Sequence, residues 1–216
     1  MNKEIYKNIL NEKFESNFSN VEKYFEFETV PTDLKLQTLN TLYSLIYQNL
    51  QNLIFDNYIA SITITSHLLE KFCKLSIVKY DIIGENLFSN EYNNKIESAY
   101  RYDSKDLNET IKQLHKYKLI SQGELKILLK LKNEMRNAFS HADSLKITKD
   151  YPNKIKAFHA NFNDIEKLKV VELNTKTTFI KNEQVELEAQ KKAFSYFKQL
   201  YKIIVNVDYK LRKAKL

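Results

Sequence analysis

An all-α helical bundle is the fold that the sequence predicts, and three observations predict it. Only 2 Gly and 2 Pro occur in 216 residues, which leaves little of the turn punctuation that many short strands require. Leu, Ile, Lys, Glu and Gln abound, and the straight-chain members of that set lose little rotamer freedom in a helix. Apolar residues also recur at alternating steps of three and four over long windows. The length suits one domain with a sizeable core. We divide it into an N-terminal helical extension (1–56), a core (57–145) and a C-terminal hairpin with a basic helix (146–216).

Taken in order, Ile5, Ile9, Phe14, Phe18, Val21 and Phe25 predict one or two short helices before Val30-Pro31-Thr32 interrupts the pattern. Leu36, Leu39, Tyr43, Ile46, Leu50 and Leu53 then form a helical seam, which serves either bundle packing or assembly between copies. Leu34, Leu42 and Ile54 widen the stripe towards an ordinary core helix. Tyr58 to Tyr80 carries apolar residues all round the helical wheel, which predicts a helix at the centre of the bundle. Residues 81–103, with Gly84 and the Asn-rich stretch 90–94, read as a loop containing one short helix. Ser104 can cap a helix bearing Leu107, Ile111 and Leu114, and Ser121-Gln122-Gly123 turns into another bearing Leu125, Leu128, Leu129, Leu131 and Met135. After Tyr151-Pro152 a helix is expected near Asn153–Leu168, and Val170–Leu173 can pair with Thr177–Ile180 as a small β-hairpin. The last helix is expected near Glu183–Ala214, with acidic residues early and basic residues late, as the macrodipole favours.

Charge narrows the function classes. The formal net charge is +7 and the pI about 9.1, a balance compatible with a polyanionic partner. From Lys191 to the C-terminus eight basic residues stand against Asp208 alone, a local +7. The single cysteine, Cys73, cannot form an internal disulfide or a multi-thiolate metal site, which fits a reducing compartment. MNKEIYK lacks a signal core and no apolar run reaches the roughly 18 residues of a membrane span, so a cytoplasmic location without membrane contact is expected. Phosphate-cradling Gly loops, HExxH, CxxC and Gly-x-Ser-x-Gly are missing, which disfavours nucleotide hydrolysis and zinc chemistry; no cofactor and no metal are expected.

The segment with chemical content is Leu131-Lys132-Asn133-Glu134-Met135-Arg136-Asn137-Ala138-Phe139-Ser140-His141-Ala142-Asp143. Cleavage of RNA by its own 2′-hydroxyl needs a base for that proton, a donor for the departing 5′-oxygen and positive charge at the phosphorus. An imidazole titrates near neutrality, so His141 suits the proton transfers. A guanidinium stays charged and can bond two phosphate oxygens at once, so Arg136 suits the phosphate. Asn137 can orient the phosphate or Arg136, or it can satisfy backbone at a helix end. The alternative for the whole motif is a helix-end arginine followed by a capping histidine.

This arrangement resembles the signature of HEPN domains: an Arg, a polar residue, three spacers and a His, placed late in the bundle after an amphipathic helix. The resemblance covers residues 58–143. It implies an all-α bundle of the HEPN type, here with extra N-terminal and C-terminal helices, that is usually dimeric and often a ribonuclease toxin or defence effector. Glu70 and Lys74 match a Glu-x3-Lys pattern that accompanies the Arg-His signature in part of the superfamily and lies near its active site. The bland reading of Glu70 and Lys74 is an exposed pair at i, i+4. Five residues along an ideal helix separate side chains by about 140°, so one motif supplies a single His, and two motifs across a two-fold axis supply a base and an acid. An isologous homodimer is therefore expected.

The expected catalytic residues are Arg136, His141, Asn137 and Glu70, with Lys71, Lys74, Lys198 and Lys202 as RNA contacts. Tyr196, Tyr201 and Tyr209 are candidates for base stacking, although basic helix faces are more often simply solvated. His67 is expected to be partly buried, His115 and His159 to lie at the surface, and Asp143 either to orient His141 or to begin a turn. The leading expectation is a metal-independent endoribonuclease, a toxin or effector of a bacterial defence or toxin–antitoxin system, with RNA and an antitoxin or other defence protein as partners. The competing expectations are a non-catalytic HEPN-like module that binds RNA or protein, and a structural protein that assembles through the 36–53 seam.

Overall fold

The computed structural model describes residues 36–86, 88–136, 139, 147–161, 164–175 and 177–214. The helices expected in the first 28 residues lie outside that set. Over the described residues the chain is mostly helical, as its composition predicts. A short 3₁₀ turn, Asn40–Leu42, leads into α1 (Tyr43–Ile54), and α2 (Tyr58–Asp81), α3 (Asn90–Tyr100), α4 (Leu107–Lys116) and α5 (Gln122–Leu131) follow. A hairpin of β1 (Lys154–Asn161) and β2 (Asp164–Asn174) precedes α6 (Thr178–Lys213).

α2 is the axis of the bundle. It is 24 residues long, and Ile62, Leu68, Leu69, Phe72, Cys73 and Ile77 on it are all fully buried. It packs against α1, α3, α4 and α6, which is the central position that its all-round apolar wheel predicts. α6, at 36 residues, contributes Phe197, Leu200, Ile204, Val207 and Leu211 to the same core. One apolar cluster therefore draws on all three segments into which the sequence was divided.

The 36–53 seam is spent inside the chain: Leu36, Leu39, Ile46 and Leu53 are buried in the core shared with α2 and α6, and Tyr43 and Leu50 are half-buried against it. The assembly reading of that seam is corrected accordingly, because Leu39 and Ile46 are shielded without a second copy. The extra stripe residue Leu42, also buried, already pointed to a core helix.

Local signals at the helix starts act mostly as expected. Ser121 and Glu124 form a reciprocal capping box at the head of α5. At α4 the cap is Asp106, whose carboxylate accepts from the Glu109 amide at 2.9 Å, and Ser104 instead belongs to a 3₁₀ turn. α3 is the one short helix expected within residues 81–103, and it begins at Asn90 in the Asn-rich stretch.

The largest departure follows Tyr151. The helix expected near Asn153–Leu168 is replaced by β1 and the first part of β2, and the partner of Val170–Leu173 is Ile155–Phe158, not Thr177–Ile180. Lys-Ile-Lys-Ala alternates polar and apolar residues, the period of a strand, and the antiparallel ladder aligns Ile155 with Leu173 and Ala157 with Val171 on one face. Thr178 already belongs to α6, which starts five residues before Glu183.

Candidate functional site

The motif begins in an irregular piece of helix. α5 gives way at Lys132 to a π-helical turn, Lys132–Arg136, whose wider winding opens one extra residue per turn. Two contacts fix this turn. Met135 is fully buried, and Glu134 accepts a hydrogen bond of 2.9 Å from the Tyr196 hydroxyl on α6. Lys130 stands 4.0 Å from the same carboxylate. The other side of the turn packs against α2. Burial, and then the carboxylate beside it, push the Tyr196 hydroxyl well above the ordinary tyrosine range.

Arg136 closes this turn and is described by its backbone; Asn137, His141 and Asp143 lie outside the described residues. On α2, Glu70 and Lys74 form the i, i+4 ion pair at 3.2 Å, with side chains 33 % and 20 % exposed. Both thus sit at the rim of the bundle on the helix that the π turn packs against. Lys71 is exposed. His67 is exposed too, a correction to its expected partial burial, because the wheel position one turn before Glu70 faces outwards. His115 is half-buried and its Nδ1 lies 3.1 Å from the Ile120 carbonyl, a structural role behind the C-terminus of α4. His159 falls on β1 instead of a helix. Among the described residues no three His, Cys, Asp or Glu side chains converge as a metal site would need.

The basic helix divides its aromatic residues sharply. Tyr196 is 5 % exposed and committed to Glu134, which removes it from base stacking. Tyr201 is half-buried with its ring centroid 5.9 Å from that of Phe197. Tyr209 is 43 % exposed, with the Arg212 guanidinium 5.6 Å and the Lys213 ammonium 4.6 Å from its ring centre. Lys198 and Lys202 are exposed, and Lys198 lies 5.8 Å from the Phe194 ring centre.

Two linkages escaped sequence reasoning. The Glu134–Tyr196 bond joins residues 62 apart, with no local pattern to announce it. At the root of the hairpin, Tyr151 donates to Glu188 at 3.1 Å, and Lys191 and Lys192 reach the same carboxylate at 3.2 and 2.7 Å. Spacing on α6 could have suggested the lysine pairs, since they stand three and four residues after Glu188.

No helix among the described residues is long and apolar enough to cross a membrane. Comparison of the chain with protein-family models, with curated proteins and with solved structures finds no match.

Proposed function

We propose that the protein is a metal-independent endoribonuclease of the HEPN type, acting through Arg136 and His141. The observation that carries this reading is where the helix becomes irregular: the π turn ends on Arg136, the first residue of the Arg-Asn-x3-His motif. π turns are rare, tend to occur at functional sites, and re-aim the residues that follow them. The mostly helical bundle and the placement of this turn against the Glu70–Lys74 helix support the reading further.

In the reaction, a base removes the proton of the ribose 2′-hydroxyl, the 2′-oxygen bonds to phosphorus, and the bond from phosphorus to the 5′-oxygen breaks. The departing oxygen takes a proton from an acid. The products are a 2′,3′-cyclic phosphate and a free 5′-hydroxyl. His141 of one copy serves as base and His141 of a second as acid, while Arg136 holds the phosphate charge and Asn137 and Glu70 orient these groups. Hence activity requires an isologous homodimer. A toxin or effector role in a defence or toxin–antitoxin system, within the cytoplasm and opposed by an inhibitory partner protein, completes the proposal.

The test is incubation of the purified protein with RNA in a chelator. Cutting by the unaltered chain, and its loss in Arg136→Ala and in His141→Ala, is expected. Cutting that survives both substitutions removes these residues from the mechanism. Salt-sensitive binding without cutting favours a non-catalytic RNA-binding module instead.

A further inference from the structure

Between Lys191 and Lys213 the only acidic residue of α6 is Asp208, and it is 1 % exposed. Its oxygens accept from the backbone amides of Gln37 and Leu39, and one of them lies 3.2 Å from Arg212. The solvent face of residues 191–213 therefore carries positive charge with no exposed carboxylate of its own, the exposed Glu183 and Glu186 of the same helix lying before it. Lys198, Lys202 and Lys213 are exposed there. Steps of four and eleven residues, about one and three turns, keep them on one stripe some 22 Å long at about 1.5 Å per residue.

α5 runs antiparallel beside this stripe. Near its start Glu124 accepts from the Asn206 side chain at 2.7 Å, and just beyond its end Glu134 accepts from Tyr196 at 2.9 Å. These two carboxylates turn towards α6, and Leu128 and Leu131 turn towards the core, so Lys126 and Lys130 are left on the solvent side of α5. Lys198, Lys202 and Lys213 thus line the α6 side of the seam between the two helices. Lys126 and Lys130 stand on the exposed face of α5, with Lys130 4.0 Å from Glu134, and the seam runs on to the π turn that ends at Arg136.

We infer that this seam is a track for the phosphate backbone of single-stranded RNA, leading the strand to the Arg136 end of α5. The assignment rests on the ribonuclease reading for the choice of RNA, but the seam's charge stands apart from it. Lysines along a narrow groove take phosphates as point charges, and the exposed Tyr209 at the far end offers an unpaired base a stacking face. A duplex hides that face.

The experiment uses the full chain carrying His141→Ala, so that binding is read without cleavage. A fluorescent oligouridylate of about 16 nucleotides is titrated between about 50 and 200 mM salt. Changing Lys198, Lys202 and Lys213 together to Gln is expected to flatten the slope of log affinity against log salt by about 2, since each phosphate contact on a single strand contributes about 0.7. The same charge removed at Lys112, Lys154 and Lys156 should leave the slope alone. These six lysines are exposed, and retained helical circular dichroism confirms that each triple variant is folded. An unchanged slope in the α6 variant overturns the track, whatever His141 does. Tighter binding of the matching DNA strand or of an RNA duplex overturns the choice of occupant. If the slope falls as expected while the unaltered chain cuts no RNA, the track stands and the cleavage reading fails.

Discussion

The carboxylate of Asp208 on α6 accepts a hydrogen bond of 2.7 Å from the backbone amide of Leu39, a residue 169 positions earlier in the chain. A second bond of 3.2 Å comes from the Gln37 amide, and Arg212 sits 3.2 Å away one turn along. One buried side chain thereby satisfies the amides that enter the first helical turn, which have no partner of their own there.

Asp208→Ala should cost about 2–4 kcal/mol, because it leaves buried donors and a neighbouring cation without their acceptor. Asp208→Asn, which keeps one acceptor oxygen, should cost less. The urea midpoint reads both, and an unchanged m-value keeps the comparison sound.

Leu39→Ala and Ile46→Ala each remove a side chain buried within the chain, so both should lower stability by about 2–5 kcal/mol. Their oligomeric state, read by light scattering, should match that of the unaltered protein. Dissociation with stability intact would return the seam to an assembly role.

Tyr117 and Tyr196 set an alkaline limit. Tyr117 donates to Asp81 at 2.6 Å and Tyr196 to Glu134, and for both hydroxyls burial followed by the neighbouring carboxylate raises the pKa above the ordinary 10.0. The folded state then holds a proton that the unfolded state gives up. Stability from these groups is complete below pH 10 and declines as the pH climbs towards the raised values. Thermal unfolding of the double Tyr→Phe variant should show a shallower alkaline decline than the unaltered protein.

Cys73 is fully buried on α2, and burial, with Glu70 nearby, pushes its thiol up. It should therefore react with a maleimide only through unfolding, on the order of a thousandfold or more slower than in urea. Rapid labelling of the native protein would show that α2 is not the rigid axis.

Much of the bundle was legible because its signals are local. The all-round apolar pattern of Tyr58–Tyr80 placed α2, and Leu107, Ile111 and Leu114, three buried residues on one face, placed α4. The hairpin was misread because Ile155, Phe158, Phe162, Ile165 and Leu168 also fall at helical steps, and a two-residue period cannot be separated from that over so short a window. Pairing decides it. The Asp208 anchor had half a signal, the lone acid in the basic stretch from Lys191 onwards, but its amide partners are far off in sequence. Around the expected site, spacing made the i, i+4 ion pair of Glu70 and Lys74 legible, and Lys198 and Lys202 are exposed. The π turn was not, since no residue type marks the insertion of an extra residue into a helical turn.

The two strands pack chiefly against one another, and Thr175 fastens the ribbon at its root through its hydroxyl to the Pro152 carbonyl at 2.6 Å and its amide to the Asn153 carbonyl at 3.0 Å. Such a ribbon can open as a sub-global unit while the helices stay closed. Deuterium should therefore enter the ladder amides of Ala157 and Val171 long before it reaches those of Leu69 and Phe72, which gives the molecule two separate clocks of native-state exchange.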